Sequence, residues 1–339
     1  MTAAVPVTDT GAGRPADAIL AGLRVPVVAA PMLIVSGPGL VIAACRAGVL
    51  GSFPTANPRG EGELEQWLKQ IEAALAESVA AGLRPAPYVP NLIVHKSNAR
   101  LEADLAAIVA HAPAAVITSV GSPAAVIPAL HDAGIQVWSD VASVRHAERA
   151  IEAGADGLIL LTAGAGGQTG YASPFAFVRA VRAMFGGVIA VAGGQSDGWA
   201  LWAAQALGCD LGYMGTRFIA TAEANAAPAY KDMIVASELD DIHLTSAFSG
   251  LPTNMMRKSM TAQGLDPADF GLGPPQFAME ALSGSAPAGP RRYRDIWSAG
   301  HSASGVRDVP AVAQVVDRLA REYELARAAS AARLAAGRG

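Results

Sequence analysis

Gly157-Leu158-Ile159-Leu160-Leu161-Thr162-Ala163-Gly164-Ala165-Gly166-Gly167-Gln168-Thr169-Gly170 begins as an apolar run and ends in a loop of glycines. The run Gly157–Leu161 reads as a strand buried on both faces, the mark of a parallel sheet covered by helices. Gly164, Gly166, Gly167 and Gly170 then offer bare backbone that can press close to a flat ligand. The functional side chain among them is Gln168. A carboxamide gives and takes hydrogen bonds, but it is no base near neutral pH.

Working outward, the same unit recurs. Apolar runs at 25–30, 49–53, 87–92, 115–120, 135–139, 157–161, 188–192 and 211–214 alternate with amphipathic stretches. Residues 61–80 place Leu64, Trp67, Leu68, Ile71 and Leu75 on one helical stripe. Residues 101–111 follow Ser97, which is expected to cap that helix. Further helices are expected over 144–153 and 200–207. Strands alternating with helices predict an α/β fold with a parallel sheet and helices outside. Eight strands are the number that closes a TIM (β/α)8 barrel; a doubly wound open sheet is the competing arrangement.

The alternation stops after Phe218. One more helix is expected over 224–238. Residues 240–290 carry six prolines and read as an irregular lid or small side domain over the barrel mouth. A last helix over 310–335, with Val312, Val315, Val316 and Leu319 at helical spacing, is expected to pack on the outside. Its Arg-rich end reads as a solvated face. The expected division is a flexible arm over 1–22, a barrel over 23–238, a lid segment over 239–300 and a C-terminal helical segment over 301–339.

Composition narrows the function classes. The chain has 339 residues, 52% hydrophobic and 16% charged, which favours a large core over disorder. A net charge of -4 argues against nucleic acid as the partner, because phosphate binding wants a basic face. Residues 25–45 carry no charge, but Pro26, Pro31, Gly37, Pro38 and Gly39 interrupt them. They read as strand, loop and helix rather than a membrane span. The first twenty residues lack the basic start and apolar block of a signal peptide. Cys45 and Cys209 read as reduced, buried thiols of a cytoplasmic protein and offer no metal site.

In a barrel, chemistry gathers at the C-terminal ends of the strands. Those ends carry Ala30-Pro31-Met32, Asn91, Ser139-Asp140, the loop with Gln168, Ala192-Gly193-Gly194 and Met214-Gly215-Thr216. The last two sets offer backbone N–H groups just before expected helix starts, a combination that binds phosphate, and Thr216 adds a hydroxyl. The floor formed by the Met32 loop, Asn91 and the glycine loop is apolar and amide-rich, which suits a flat heteroaromatic ring. Asn91 either pairs with a ring edge or caps a turn.

Ala30-Pro31-Met32, Asn91-Leu92-Ile93-Val94-His95, Gly164-Ala165-Gly166-Gly167, Ala192-Gly193-Gly194, Met214-Gly215-Thr216-Arg217-Phe218 and Ile296-Trp297-Ser298-Ala299-Gly300 together resemble the nitronate monooxygenase family, formerly called 2-nitropropane dioxygenases. The resemblance spans nearly the whole chain. It implies a TIM barrel with non-covalent FMN, the phosphate on Gly193, Gly194, Gly215 and Thr216, and the isoalloxazine over Met32, Asn91 and Gly167. The same matched motifs add Pro31, Gly166 and Ser298 to the implied cofactor contacts. In family members that use nitroalkanes, a His follows the Gly-Gly pair as catalytic base; here that position is Gln168. His95 is the leading substitute among the chain's titratable groups. Asp140 serves only if burial raises its pKa, and it could equally cap the next helix. His301 and Tyr171 are further candidates, while His111, His131, His146 and His243 receive no role.

The implied activity is oxidation of a small anionic substrate such as an alkyl nitronate by O₂. One alternative is an NAD(P)H-dependent reductase of an enoyl thioester or quinone, and another is a flavin-binding protein without catalysis. Neither nucleic acid nor membrane is expected as a partner, and a homodimer is left open.

Overall fold

The computed structural model describes residues 16–273 and 294–337. Eight parallel strands form one sheet: β1 (Val27–Ala29), β2 (Leu50–Gly51), β3 (Asn91–Ile93), β4 (Ala115–Ser119), β5 (Gln136–Val141), β6 (Gly157–Leu161), β8 (Val188–Ala192) and β9 (Leu211–Met214). A two-residue strand, β7 (Gly167–Gln168), lies between β6 and β8 in the chain but outside that sheet. The strand order is β2-β1-β9-β8-β6-β5-β4-β3. Its two ends meet through parallel bridges, Gly51 to Tyr88 and Pro54 to Asn91. Val89 N–H donates to Gly51 O at 2.9 Å and Asn91 N–H to Phe53 O at 2.8 Å. The sheet therefore closes into a barrel, and the open doubly wound alternative is set aside.

The barrel interior holds Val28, Leu50, Val89, Ile117, Trp138, Ile159, Ala190 and Leu211. Trp138 is its largest fully buried side chain. Gly157 stands beside it, and a Cβ there would lie 2.6 Å from Trp138 Cδ1. The glycine that opens β6 is thus a packing requirement of the indole. Residues 16–22, expected as part of a loose arm, are corrected. They include the helix Asp17–Ala21, and Ala16, Ile19 and Leu20 pack against this interior cluster. The remainder of that arm lies outside the described residues.

Helices cover the outside, and several boundaries move. Helix 101–111 starts at Leu101 with Arg100 at its N-cap and no side-chain cap bond. Ser97, expected as the cap, instead pairs its hydroxyl with His95 Nδ1 at 2.7 Å. The helix expected over 224–238 is only Pro228–Val235. The final helix Val312–Ala336 packs on the helices Gly198–Leu207 and Pro38–Ala47. Gly198 allows that contact, since a Cβ there would lie 2.1 Å from Tyr323 N.

The expectation of irregular chain over 240–290 is corrected as well. It contains β10 (Ile242–Thr245), β11 (Thr253–Met256) and the helix Arg257–Ala262. β10 and β11 are antiparallel, and β11 also pairs with β7, placing Thr253 opposite Gln168 and Asn254 opposite Gly167. A second sheet is thereby built onto the glycine loop. Residues 274–290 of the expected lid lie outside the described residues. No described helix is long and apolar enough to cross a membrane. Cys45 and Cys209 are both free and buried.

Candidate active site

A cleft with about 1170 Å³ of empty space, counted out to solvent, opens at the C-terminal ends of the strands. Three loops shape it. The first follows β1. Asn57 holds it, donating from Nδ2 to Met32 O at 3.0 Å and Ser36 O at 2.7 Å, while its Oδ1 accepts from Ile34 N–H at 2.9 Å. Ile34 pays the left-handed φ of 69° that this turn demands. Pro31 and Met32 face the cleft.

The second wall comes from β3, β4 and β5. Asn91 is 5% exposed. Its Nδ2 donates to Ile117 O at 3.2 Å, and its Oδ1 accepts from the Ser119 hydroxyl at 3.3 Å. Its amide thus braces two strands and caps no turn. Val120, which lines the cleft, sits at φ 57°. A β-branched residue there is strained by about 1–3 kcal/mol, a cost usually met at functional sites. Asp140 lines the cleft at the end of β5. Its Oδ1 is buried without a hydrogen-bond partner, and burial pushes its carboxyl up to about 7. It caps nothing: the Ser143 hydroxyl accepts from His146 N–H and closes the next helix.

The third wall is the glycine loop, and the segment 296–300 returns to hold it. Gly167 N–H donates to the Ser298 hydroxyl at 2.7 Å, and that hydroxyl donates to Asn254 O at 2.6 Å. Asn254 Nδ2 donates to Ala165 O at 2.8 Å, and Gly300 N–H donates to Thr216 Oγ1 at 2.9 Å. Tyr230, stacked on Trp297 with centroids 5.0 Å apart, donates its hydroxyl hydrogen to Ser298 O. The expectation that the loop glycines all clear space for a ligand is corrected. A Cβ at Gly164 would lie 2.6 Å from the His301 ring, at Gly166 2.8 Å from Gly300 N, and at Gly170 2.1 Å from Leu161 O. These three press against protein. Gln168 is half-buried and lines the cleft.

Past β8, Gly193 and Gly194 take φ of 124° and 74°, which only glycine adopts readily. Contrary to expectation, they do not lead straight into a helix. The next helix begins at Gly198, and its first turn is closed by Asp197, whose Oδ1 accepts from Ala200 N–H at 2.8 Å. Past β9, Gly215 is the N-cap of the short helix Thr216–Ile219.

The cleft therefore gathers Pro31, Met32, Asn91, Gly166, Gly167, Gln168, Gly193, Gly215, Thr216 and Ser298. Gly194 is exposed beside it, and a Cβ there would meet open space. His95 is not brought to the lining; the chain past Ile93 turns its ring to Ser97. Tyr171 is 83% exposed, and His301 is exposed and packs across Gly164. His111 is held between Glu65 and Glu72. Tyr213 and Tyr230 line the cleft unforeseen, beside Gln195 from the end of β8, because a strand-end motif does not reveal which side chains turn inward.

A sequence model of nitronate monooxygenase matches residues 15–322. The chain belongs to the nitronate monooxygenase family. A nitronate monooxygenase of Paraburkholderia phytofirmans is 29% identical over 354 residues, 92% of this chain and 96% of that protein. A Rhodococcus jostii (3aS,4S,5R,7aS)-5-hydroxy-7a-methyl-1-oxo-octahydro-1H-indene-4-carboxyl-CoA dehydrogenase is 27% identical over 241 residues, 71% of this chain and 65% of that protein. The crystal structure of a nitroalkane oxidase from Streptomyces ansochromogenes superposes with a TM-score of 0.74 at 24% identity, covering 92% of this chain and 99% of that one. It shares the barrel fold. This nitronate monooxygenase family member is an oxidoreductase, and the family is in general flavin-dependent. Its cleft suits such a group in three respects: its size, the bare backbone at Gly193 and Gly215, and the buried acceptor Asp140 Oδ1 still without a partner.

Proposed function

We propose that the protein is an FMN-dependent oxidoreductase that oxidises a small, already anionic substrate such as an alkyl nitronate, with O₂ as oxidant. One observation carries the choice of substrate: among the described residues, the cleft lining contains no His, Lys or Arg. A neutral nitroalkane must lose an α-proton, and imidazole, with a pKa near 6.5, is the usual group to take it. Gln168 cannot. A nitronate has already lost that proton.

The chain's own groups have clear tasks in this scheme. The N–H groups of Gly193, Gly194 and Gly215, with the Thr216 hydroxyl, would receive the FMN phosphate. Met32, Asn91 and Gly167 would border the ring, with Pro31, Gly166 and Ser298 around them. The Gln168 carboxamide would donate to a substrate oxygen. Bound FMN supplies the redox chemistry. His95, placed away from the lining, is left with a role only through a movement of its loop.

A second reading has NAD(P)H reduce the protein and an enoyl thioester or quinone reoxidise it; the similarity to a carboxyl-CoA dehydrogenase supports only the thioester part of it. Hydride transfer needs no base at residue 168. Anaerobic mixing separates the two. The yellow protein is expected to bleach with ethyl nitronate and regain colour with O₂, whereas bleaching by NADH or NADPH favours the reductase. Protein that purifies colourless and takes up no FMN sinks both.

A further inference from the structure

We propose that Asp140 is a ligand-facing carboxyl that enters the filled cleft protonated, so that cofactor binding takes up one proton. The inference rests on the flavin reading above and assigns a role that the base-replacement question leaves open.

Asp140 stands opposite Ile159 of β6 in the register of the barrel and lines the cleft. Its neighbours decide its charge. Ile159 of β6 lies opposite it and Thr118 of β4 lies opposite the adjoining Ser139, while Ser119 and Leu161 line the same cleft. From β9 comes Tyr213, whose phenol burial and Asp140 together hold neutral, well above its ordinary range. None of these carries a charge at neutral pH, and no cation lines the cleft among the described residues. Asp140 Oδ1 has no donor of its own.

A flat ligand seated against it removes the remaining water. An ionised carboxylate would then be buried without a counter-charge, a far larger cost than protonation. The neutral acid instead has one O–H to donate, and a heteroaromatic ring edge rich in carbonyl and imine acceptors can receive it. No bond but the O–H is made: a solvent proton joins the carboxylate as the ligand docks. Burial already brings the free group to about 7, so the uptake falls where it can be measured. The same neutrality spares an anionic substrate a like charge beneath it, and it leaves Asp140 unable to serve as the missing base.

The test is FMN binding followed by flavin fluorescence quenching between pH 7.5 and 9, where the ligand's phosphate is fully ionised. The wild-type Kd is expected to rise by about tenfold per pH unit, and that of Asp140→Asn to stay flat. Calorimetry of the wild type at pH 8, in buffers of different ionisation enthalpy, is expected to show close to one proton taken up. Tight binding with no pH dependence and no proton uptake overturns the role of Asp140 while leaving the flavin reading intact. So does an Asp140→Asn variant that keeps the wild-type slope. Absence of FMN binding at every pH overturns both.

Discussion

Gly167 N–H and the Ser298 hydroxyl meet at 2.7 Å across 131 residues of chain. The same hydroxyl donates to Asn254 O, so one side chain ties the glycine loop to β11. Ser298→Ala leaves the half-buried Gly167 N–H and the buried Asn254 O without that partner. The expected loss is about 1–3 kcal/mol of stability, read by urea unfolding, with weaker FMN retention on dialysis. Unchanged stability and cofactor retention would show that the loop is held by its strand pairing alone.

Gly157→Ala tests the packing of the barrel. The new methyl would fall 2.6 Å from Trp138 Cδ1, and overpacking a dense interior costs about 1–3 kcal/mol. Adding Trp138→Leu is expected to return part of that loss. A Gly157→Ala protein with wild-type Tm would mean that the interior yields more easily than its burial suggests.

Asp140 makes stability depend on pH before any ligand is added. Its carboxyl is raised from the ordinary 3.8 to about 7. The folded state thus favours the protonated form, and the stability present below 3.8 is lost as pH rises toward 7. At about 1.4 kcal/mol per pH unit, the loss is bounded at about 4 kcal/mol. Asp140→Asn is expected to be the more stable protein at pH 8 in ligand-free form and to gain nothing near pH 3.5. Denaturation at both pH values checks it; equal gains at the two would remove the carboxyl's titration as the cause.

Gln168→His puts an imidazole on the cleft wall without touching the backbone pairing of β7 with β11. The variant is expected to oxidise neutral nitroethane at least tenfold faster than wild type, with a rate rising through the imidazole range near pH 6.5. Nitronate turnover is expected to change by only a few-fold. Strong wild-type activity on neutral nitroethane, unaffected by His95→Ala, would contradict the account given for the missing base.

The barrel was legible because its strands are apolar runs between punctuating glycines and prolines, and the expected edges of β6, β8 and β9 match the observed ones. β2 and β3 are shorter than their runs, since chain direction there is set by two isolated bridges. Most of the cleft lining was readable from the strand ends. The purpose of the glycines was not, because it depends on what faces each one: Trp138 at Gly157 and the His301 ring at Gly164. β7 is two residues long and has no period to detect, so the sheet it joins through Thr253 and Asn254 left no local trace. The place of His95 outside the lining was illegible for a similar reason, as nothing in its spacing tells which way the chain turns past Ile93.

The contacts of Gly164, Gly166 and Gly167 with residues 298–301 also set an order of events during synthesis. The ring of eight strands is complete in sequence at Met214, so it can close while the ribosome is still translating. The rim that would grip a cofactor lacks Ser298 and Gly300 until more than eighty further residues have followed Met214. Loading of any ligand held by that rim must therefore wait until that later segment has left the ribosome.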